Sequence, residues 1–320
     1  MLDDSSQRVT RPSAVFSMAT RCAILPDVVP VRREGGRSEV VLRSGNLLGE
    51  GPAWDERTGS LLWVDIDAGE VHRLTGGGAH TVLVFGAPIS AVIPTERDGE
   101  YVLLRRSEVV RVTPSGEESL VALELPESSM LFNDAKCDPH GNLWAGTKNW
   151  AGRPTAALYR IVPTLDREVK RTGITISNGL GWSPSGTTMY HVDTPTRRID
   201  MFNVDLAAGT LGDRRTLAEI EEGAGLPDGL CVDAEGGVWV ALWNGRAVRR
   251  YHATGELDRV VVIPTLCPTS CTLGGSDFRT LFVTSSRDGA RAAGHDDELA
   301  GAVFSVEAEV PGLPVARFRG

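Results

Sequence analysis

The sequence predicts an all-β fold, a six-bladed β-propeller with four-stranded antiparallel blades, and three observations predict it. A strand–turn–strand plan recurs six times along the chain, with a polar anchor residue in each copy. The anchors are Glu50, Ser90, Asn133, Asn178, Asp228 and Ser270, at spacings of 40, 43, 45, 50 and 42 residues. A period of roughly 40–50 residues holding several short strands is the signature of a propeller. The 36 glycines and 18 prolines among 320 residues call for many tight turns, which suits short strands better than long helices. Helical periodicity of about 3.6 residues is not sustained over any long window.

Each unit has the same plan: a polar residue, a short apolar run, a Gly-containing turn and a second apolar run. The first opens at Gly49-Glu50-Gly51-Pro52, turns at D-E-R-T-G and resumes at Leu61 to Asp65. The second opens at Ile89-Ser90, turns at E-R-D-G and resumes at Tyr101 to Leu104. The third opens at Phe132-Asn133-Asp134, turns at D-P-H-G and resumes at Leu143 to Thr147. The fourth runs from Ser177-Asn178-Gly179 through S-P-S-G to Thr188–Asp193, and the fifth from Pro227-Asp228-Gly229 through D-A-E-G to Val238–Leu242. The sixth, less regular, opens at Thr269-Ser270-Cys271 and resumes at Thr280 to Thr284. The strand-like segment Glu39 to Arg43 precedes the first unit. It is expected to complete the last blade, because an unclosed ring leaves exposed strand edges. An open β-solenoid is the lesser alternative, since it needs shorter and more uniform repeats. The propeller is expected to occupy residues 38–320, with residues 1–37 a flexible, polar extension that does not resemble a secretory signal.

Composition narrows the function. A net charge of −9 without a basic stripe argues against nucleic acid or an anionic membrane as partner. No apolar run approaches the roughly 18–20 residues of a membrane span. The five cysteines, Cys22, Cys137, Cys231, Cys267 and Cys271, are odd in number and form no C-x-x-C. Reduced, mostly buried thiols in a cytoplasmic protein are expected.

The first strand of each propeller blade lines the central channel, so residues at equivalent positions converge there. The convergent set is two carboxylates, two amides and two hydroxyls. Such hard oxygens suit Ca²⁺, Mg²⁺ or Mn²⁺, and Zn²⁺ is accommodated as well. Singly, each anchor could do no more than cap a strand end. Together, at one register in a concavity, they point to a site. Gly49, Gly51, Gly179 and Gly229 flank the anchors, where a missing side chain lets backbone approach closely. The histidines, including His140 in a turn and His191 in a strand, fall off the anchor positions. A Ser-His-Asp triad or a His-rich zinc site is therefore disfavoured, and neither a P-loop nor a dinucleotide fingerprint occurs.

At these residues the sequence resembles the senescence marker protein-30 (regucalcin), gluconolactonase and luciferin-regenerating enzyme family. The matching stretches are L-L-G-E-G-P-A-W-D, F-N-D-A-K-C-D-P-H-G-N-L-W-A-G-T, I-S-N-G-L-G-W-S and L-P-D-G-L-C-V-D-A-E-G-G-V-W-V-A. The resemblance implies one divalent cation in the channel, calcium first, held by Glu50, Asn178 and Asp228. Asn133 would contact substrate, and Asp228 would also be the candidate general base. The implied reaction is hydrolysis of a sugar lactone or related lactone, a small-molecule substrate whose carbonyl the cation polarises. One position departs from the pattern. Where sugar-lactonase members carry Arg two residues before the Asn of F-N-D, this chain has Leu131, and Arg153 is the candidate to replace it. A less hydroxylated lactone is then expected, because fewer polar donors remain. The alternatives are a non-catalytic propeller binding Ca²⁺ or a small ligand, and a propeller hydrolase or lyase acting on another ester.

Overall fold

The computed structural model describes residues 37–295 and 297–320. The expected extension, residues 1–37, and with it Cys22, lies outside the described residues except for Arg37. Nearly every described element is a β-strand, and the strands form six four-stranded antiparallel sheets arranged as a six-bladed propeller. The innermost strands of the six blades, in order, are Gly49–Asp55, Ile89–Pro94, Met130–Cys137, Ser177–Trp182, Leu226–Val232 and Pro268–Gly274. Each contains one of the anchors.

Ring closure follows the expectation. The strand Glu39–Leu42 joins the sixth blade as its outermost strand, with Glu39 opposite Ser305 and Val40 opposite Phe304. Two distant parts of the chain thus share one sheet. Among the described residues no helix is long and apolar enough to cross a membrane.

The burial of each strand follows from its place in the blade. The second strand of the first blade, Ser60–Asp65 (SLLWVD), is buried throughout. Its faces pack against neighbouring blades, so it reads as a continuous apolar run. The outermost strand of the same blade, His80–Val84, is exposed throughout. The core is a set of interblade layers. One, between the second and third blades, joins Val102, Leu104, Phe132, Leu143 and Phe318. Another, between the fifth and sixth, joins Trp239, Val248, Leu281 and Phe304.

The turns of the repeat have a specific chemistry. In D-P-H-G-N-L-W, Asp138 accepts the backbone N–H groups of His140 and Asn142 and the indole N–H of Trp144, the last at 2.8 Å. In D-A-E-G-G-V-W, Asp233 accepts the N–H groups of Glu235 and Gly237 and the indole of Trp239 at 3.0 Å. Each Asp organises its turn and ties it to the Trp of the following strand.

After the last strand of the chain, Val303–Glu307, the C-terminal segment crosses this same turn end of the channel. Gly312 bridges Asp233 of the fifth blade, and Phe318 bridges Thr95 of the second. Arg317 pairs with Asp55 and Glu56 of the first blade, both within 2.8 Å. A cavity of about 510 Å³ lies between this strap and the lower ends of the innermost strands. The anchors occupy the opposite end.

Candidate active site

The anchors sit at a shared irregularity that the sequence did not reveal. The innermost strand of every blade loses its register with its neighbour at the anchor. The breaks fall between Glu50 and Ala53, Ile89 and Ala91, Phe132 and Ala135, Ser177 and Leu180, Pro227 and Leu230, and Pro268 and Cys271. Five of the anchors lie inside the break, and Glu50 borders it. A bulge bends the strand and re-aims a side chain that regular pleating would point between the blades. Here six bulges at one level take the anchors out of the regular pleat.

Glycine makes this possible at two points. Gly51 has φ +54°, in the left-handed region, and its N–H donates to Glu50 Oε2 at 3.0 Å. A Cβ on Gly179 would stand 2.7 Å from the Asp228 carbonyl oxygen and 2.7 Å from Leu230 Cγ. The fourth and fifth blades therefore approach closely only because residue 179 has no side chain.

The amide pair is oriented unambiguously. Asn133 Nδ2 donates to the Ser177 carbonyl at 2.7 Å and to Asn178 Oδ1 at 2.8 Å. The Ser177 carbonyl can only accept, so the nitrogen of Asn133 must be on that side. Asn178 Nδ2 donates to Thr194 Oγ1 at 2.8 Å, and the Thr194 hydroxyl donates to the Pro227 carbonyl at 2.9 Å. Thr194, buried just past the second strand of the fourth blade, thus fixes which way Asn178 faces. Both Nδ2 hydrogens of Asn133 are used, so Asn133 offers the channel an acceptor, Oδ1, and no donor.

The carboxylates are under electrostatic stress. Glu50 is pushed up to about 8 by burial and by the charge of Asp134. Asp228 is raised well above the usual carboxylate range by burial, then by Glu50 and Asp134. Asp134 is raised by burial as well. One oxygen of Asp228 (Oδ1) and one of Asp134 (Oδ2) are buried with no hydrogen-bond partner. Buried carboxylate oxygens without donors are costly unless a cation or proton meets them. The oxygens of Glu50, Asp228 and Asn178 are hard donors of the type that Ca²⁺ or Mg²⁺ takes, so the residues present fit a divalent cation.

The remaining predicted residues fall as follows. Ser90 donates to the Leu104 carbonyl at 3.4 Å and serves the blade. Ser270 is buried, with its hydroxyl in the space that a side chain on Gly229 would fill. His191 is fully buried between Arg171 at 2.9 Å and Ser177 Oγ at 2.8 Å, and burial then Arg171 push it down to about 3. It is a neutral packing residue. Arg153 is ion-paired to Glu127 on an exposed rim. The thiols of Cys137, Cys231, Cys267 and Cys271 are free and buried.

Three residues near the anchors were not singled out in the sequence: Asp134, Thr194 and Lys148. Asp134 adjoins an anchor within F-N-D, and Thr194 closes the strand ending in Asp193. Lys148 follows Gly146-Thr147 on the second strand of the third blade, Leu143–Asn149, every residue of which is buried. A lysine in a wholly buried strand is itself a signal. Lys148 stands opposite Leu131 in the ladder. Burial pushes it down to about 8, against the opposing effect of Glu50, Asp67 and Asp228.

The model of the SMP-30/Gluconolactonase/LRE-like region matches residues 48–287, which include every anchor. The chain belongs to this family. Regucalcin of Gallus gallus is 34% identical over 285 residues, covering 85% of this chain and 95% of its own. YvrE of Bacillus subtilis, assigned as a sugar lactone lactonase, is 32% identical over 291 residues, covering 86% and 96%. Among solved structures, a calcium-binding regucalcin of Agrobacterium tumefaciens superposes with a TM-score of 0.81 at 27% identity, covering 89% of this chain and 97% of that one. The family resemblance read from the motifs is thereby borne out.

Proposed function

We propose that this protein is a divalent-cation-dependent lactonase whose cation is held by Glu50, Asn178 and Asp228. The observation that carries this reading is the pair of buried carboxylates whose charges oppose each other, one with an oxygen that no donor meets. The kinship with YvrE, assigned as a sugar lactone lactonase, supports the reaction class, and the kinship with a calcium-binding regucalcin supports calcium as the ion.

When bound, the cation polarises a lactone carbonyl and offsets the charge that develops on its oxygen. The rest is done by the chain. Asp228 accepts the proton of the attacking water through an oxygen left free of ligation. This role needs the ionised carboxylate, and positive charge beside it favours that form. Asn133 accepts a hydrogen bond through Oδ1 from a substrate hydroxyl or from the water. Thr194 keeps the Asn178 carbonyl toward the channel, a positioning task of the kind that partners of ligands perform.

The test is hydrolysis of a lactone panel by metal-stripped, calcium-loaded, Asp228→Ala and Asp228→Asn protein. Turnover is expected only with the loaded wild type, and the Asp228 variants should lose at least about a hundredfold. Full activity in stripped protein or in Asp228→Ala would overturn the proposal. Regucalcin's description as calcium-binding favours a second reading, a binding propeller without catalysis. Tight calcium binding with no turnover on any lactone would select it.

A further inference from the structure

Lys148 has no role in the machinery described so far. Its ammonium has no hydrogen bond and no carboxylate oxygen within 4.0 Å among the described residues. The residue is only 3% exposed. Its strand belongs to the third blade, yet its charge is felt with Glu50 and Asp67 of the first blade and Asp228 of the fifth. A side chain so placed projects toward the axis. The ammonium lies 4.1 Å from the ring centre of Trp150, which is 54% exposed, so it sits where the channel meets the rim. Across the ladder Leu131 offers it nothing polar.

Long cationic side chains are rarely buried unless paired, and here the ring face of Trp150 meets the ammonium while no carboxylate does. Glu50 and Asp228 do not reach it, and in the proposed enzyme their charge is engaged by the cation. Asp67 is engaged in a contact of its own. A ring face takes no N–H donor as an acceptor oxygen does, so the three donors of the ammonium stay open to an anion that arrives from outside.

We propose that Lys148 is a specificity-determining residue that binds a carboxylate on the substrate, so that the preferred lactone carries an acidic group beside its ring. A single ammonium suits a monoanion such as a carboxylate. A phosphate calls for several donors, and among the described residues no second cation is paired with Lys148. Leu131 and Trp150 give the same mouth two apolar surfaces, which suit a compact acidic ring better than a chain of hydroxyls.

This inference rests on the lactonase reading, and its test separates the two. The matched substrates are γ-butyrolactone and γ-carboxy-γ-butyrolactone, assayed with calcium-loaded wild type, Lys148→Met and Lys148→Arg. Wild type should prefer the acidic lactone at least about tenfold in kcat/KM, the scale of one charge-assisted hydrogen bond. Lys148→Met should remove that preference through KM, leave kcat/KM for the neutral lactone within about threefold, and be partly rescued by Lys148→Arg. Preference of wild type for the neutral lactone, or an equal loss on both substrates in Lys148→Met, would overturn the assignment. The second readout is calorimetric binding of the ring-opened products, hydroxyglutarate and hydroxybutyrate, to the same proteins. If neither lactone opens, the lactonase reading falls, while tighter binding of hydroxyglutarate that disappears in Lys148→Met still upholds the role of Lys148. Equal binding of the two, or no binding of hydroxyglutarate, removes it.

Discussion

Glu50, Asp134 and Asp228 are three acids placed where acids are uncomfortable, and their discomfort is measurable as a pH dependence. In the metal-free fold Glu50 titrates at about 8, against 4.5 for the free group. Between these values the folded protein holds a proton that the unfolded chain has released. The stability contributed by that proton is fully present below the unfolded pKa and is lost as pH rises through the folded one. Asp228 and Asp134 shift in the same direction. Lys148, lowered to about 8 from 10.5, works oppositely, but only at higher pH. The metal-free protein should therefore lose thermal stability between roughly pH 5 and pH 8. Saturating calcium should flatten or reverse that trend, because ligand carboxylates must be deprotonated to bind. Calorimetric unfolding at several pH values, with chelator and with calcium, checks both. A flat chelated profile would show that these acids are not stressed in the manner described.

At the scale of the element, the bulged innermost strand is the device that makes the site. The anchors were legible in the sequence because a polar residue recurs in front of each apolar run. Their orientation was not. Strand alternation alone would place Asn133 and Asp134 on opposite faces, whereas the break from Phe132 to Ala135 leaves both outside the ladder. Asp134 was missed for that reason. Lys148 was missed because it belongs to a second strand, which the repeat marks as packing. The close approach of neighbouring bulges has a testable consequence at Gly179. Gly179→Ala puts a methyl 2.7 Å from the carbonyl oxygen of Asp228, with backbone that cannot swing away. We expect a loss of about 1–3 kcal/mol in denaturant unfolding measured with chelator. Calcium affinity should fall as well, since Asp228 moves with its strand. An unchanged stability would mean that the fourth and fifth blades can part without penalty.

At the scale of the whole molecule, both ends of the chain hold the ring. Glu39–Leu42 supplies the last strand of the sixth blade. The C-terminal segment spans the turn end and buries Phe318 completely between the second and third blades. Removing residues 1–42 should expose the edge of Val303–Glu307. Relative to a chain beginning at residue 37, unfolding should come roughly 5–10 °C lower and with more aggregation. Equal melting temperatures would show that closure by this strand contributes little. The strap leaves the anchor end, with Lys148 and Trp150 at its rim, as the natural approach to the channel.

By itself the sequence determined the number of blades and where each anchor falls, because an apolar run, a Gly turn and a polar anchor recur at the spacing of one blade. The family was legible in the motif stretches around those anchors, and the closing strand in the need to leave no open edge. What only the tertiary structure decided is how side chains from different blades meet. Asn133 faces the fourth blade and spends its donors on the Ser177 carbonyl and on Asn178 Oδ1. Asp228 shares its burial with Glu50 from across the channel. Lys148 reaches the axis from a strand that the repeat treats as core. Charge acts through space, so residues almost two hundred positions apart perturb each other only once the ring has closed.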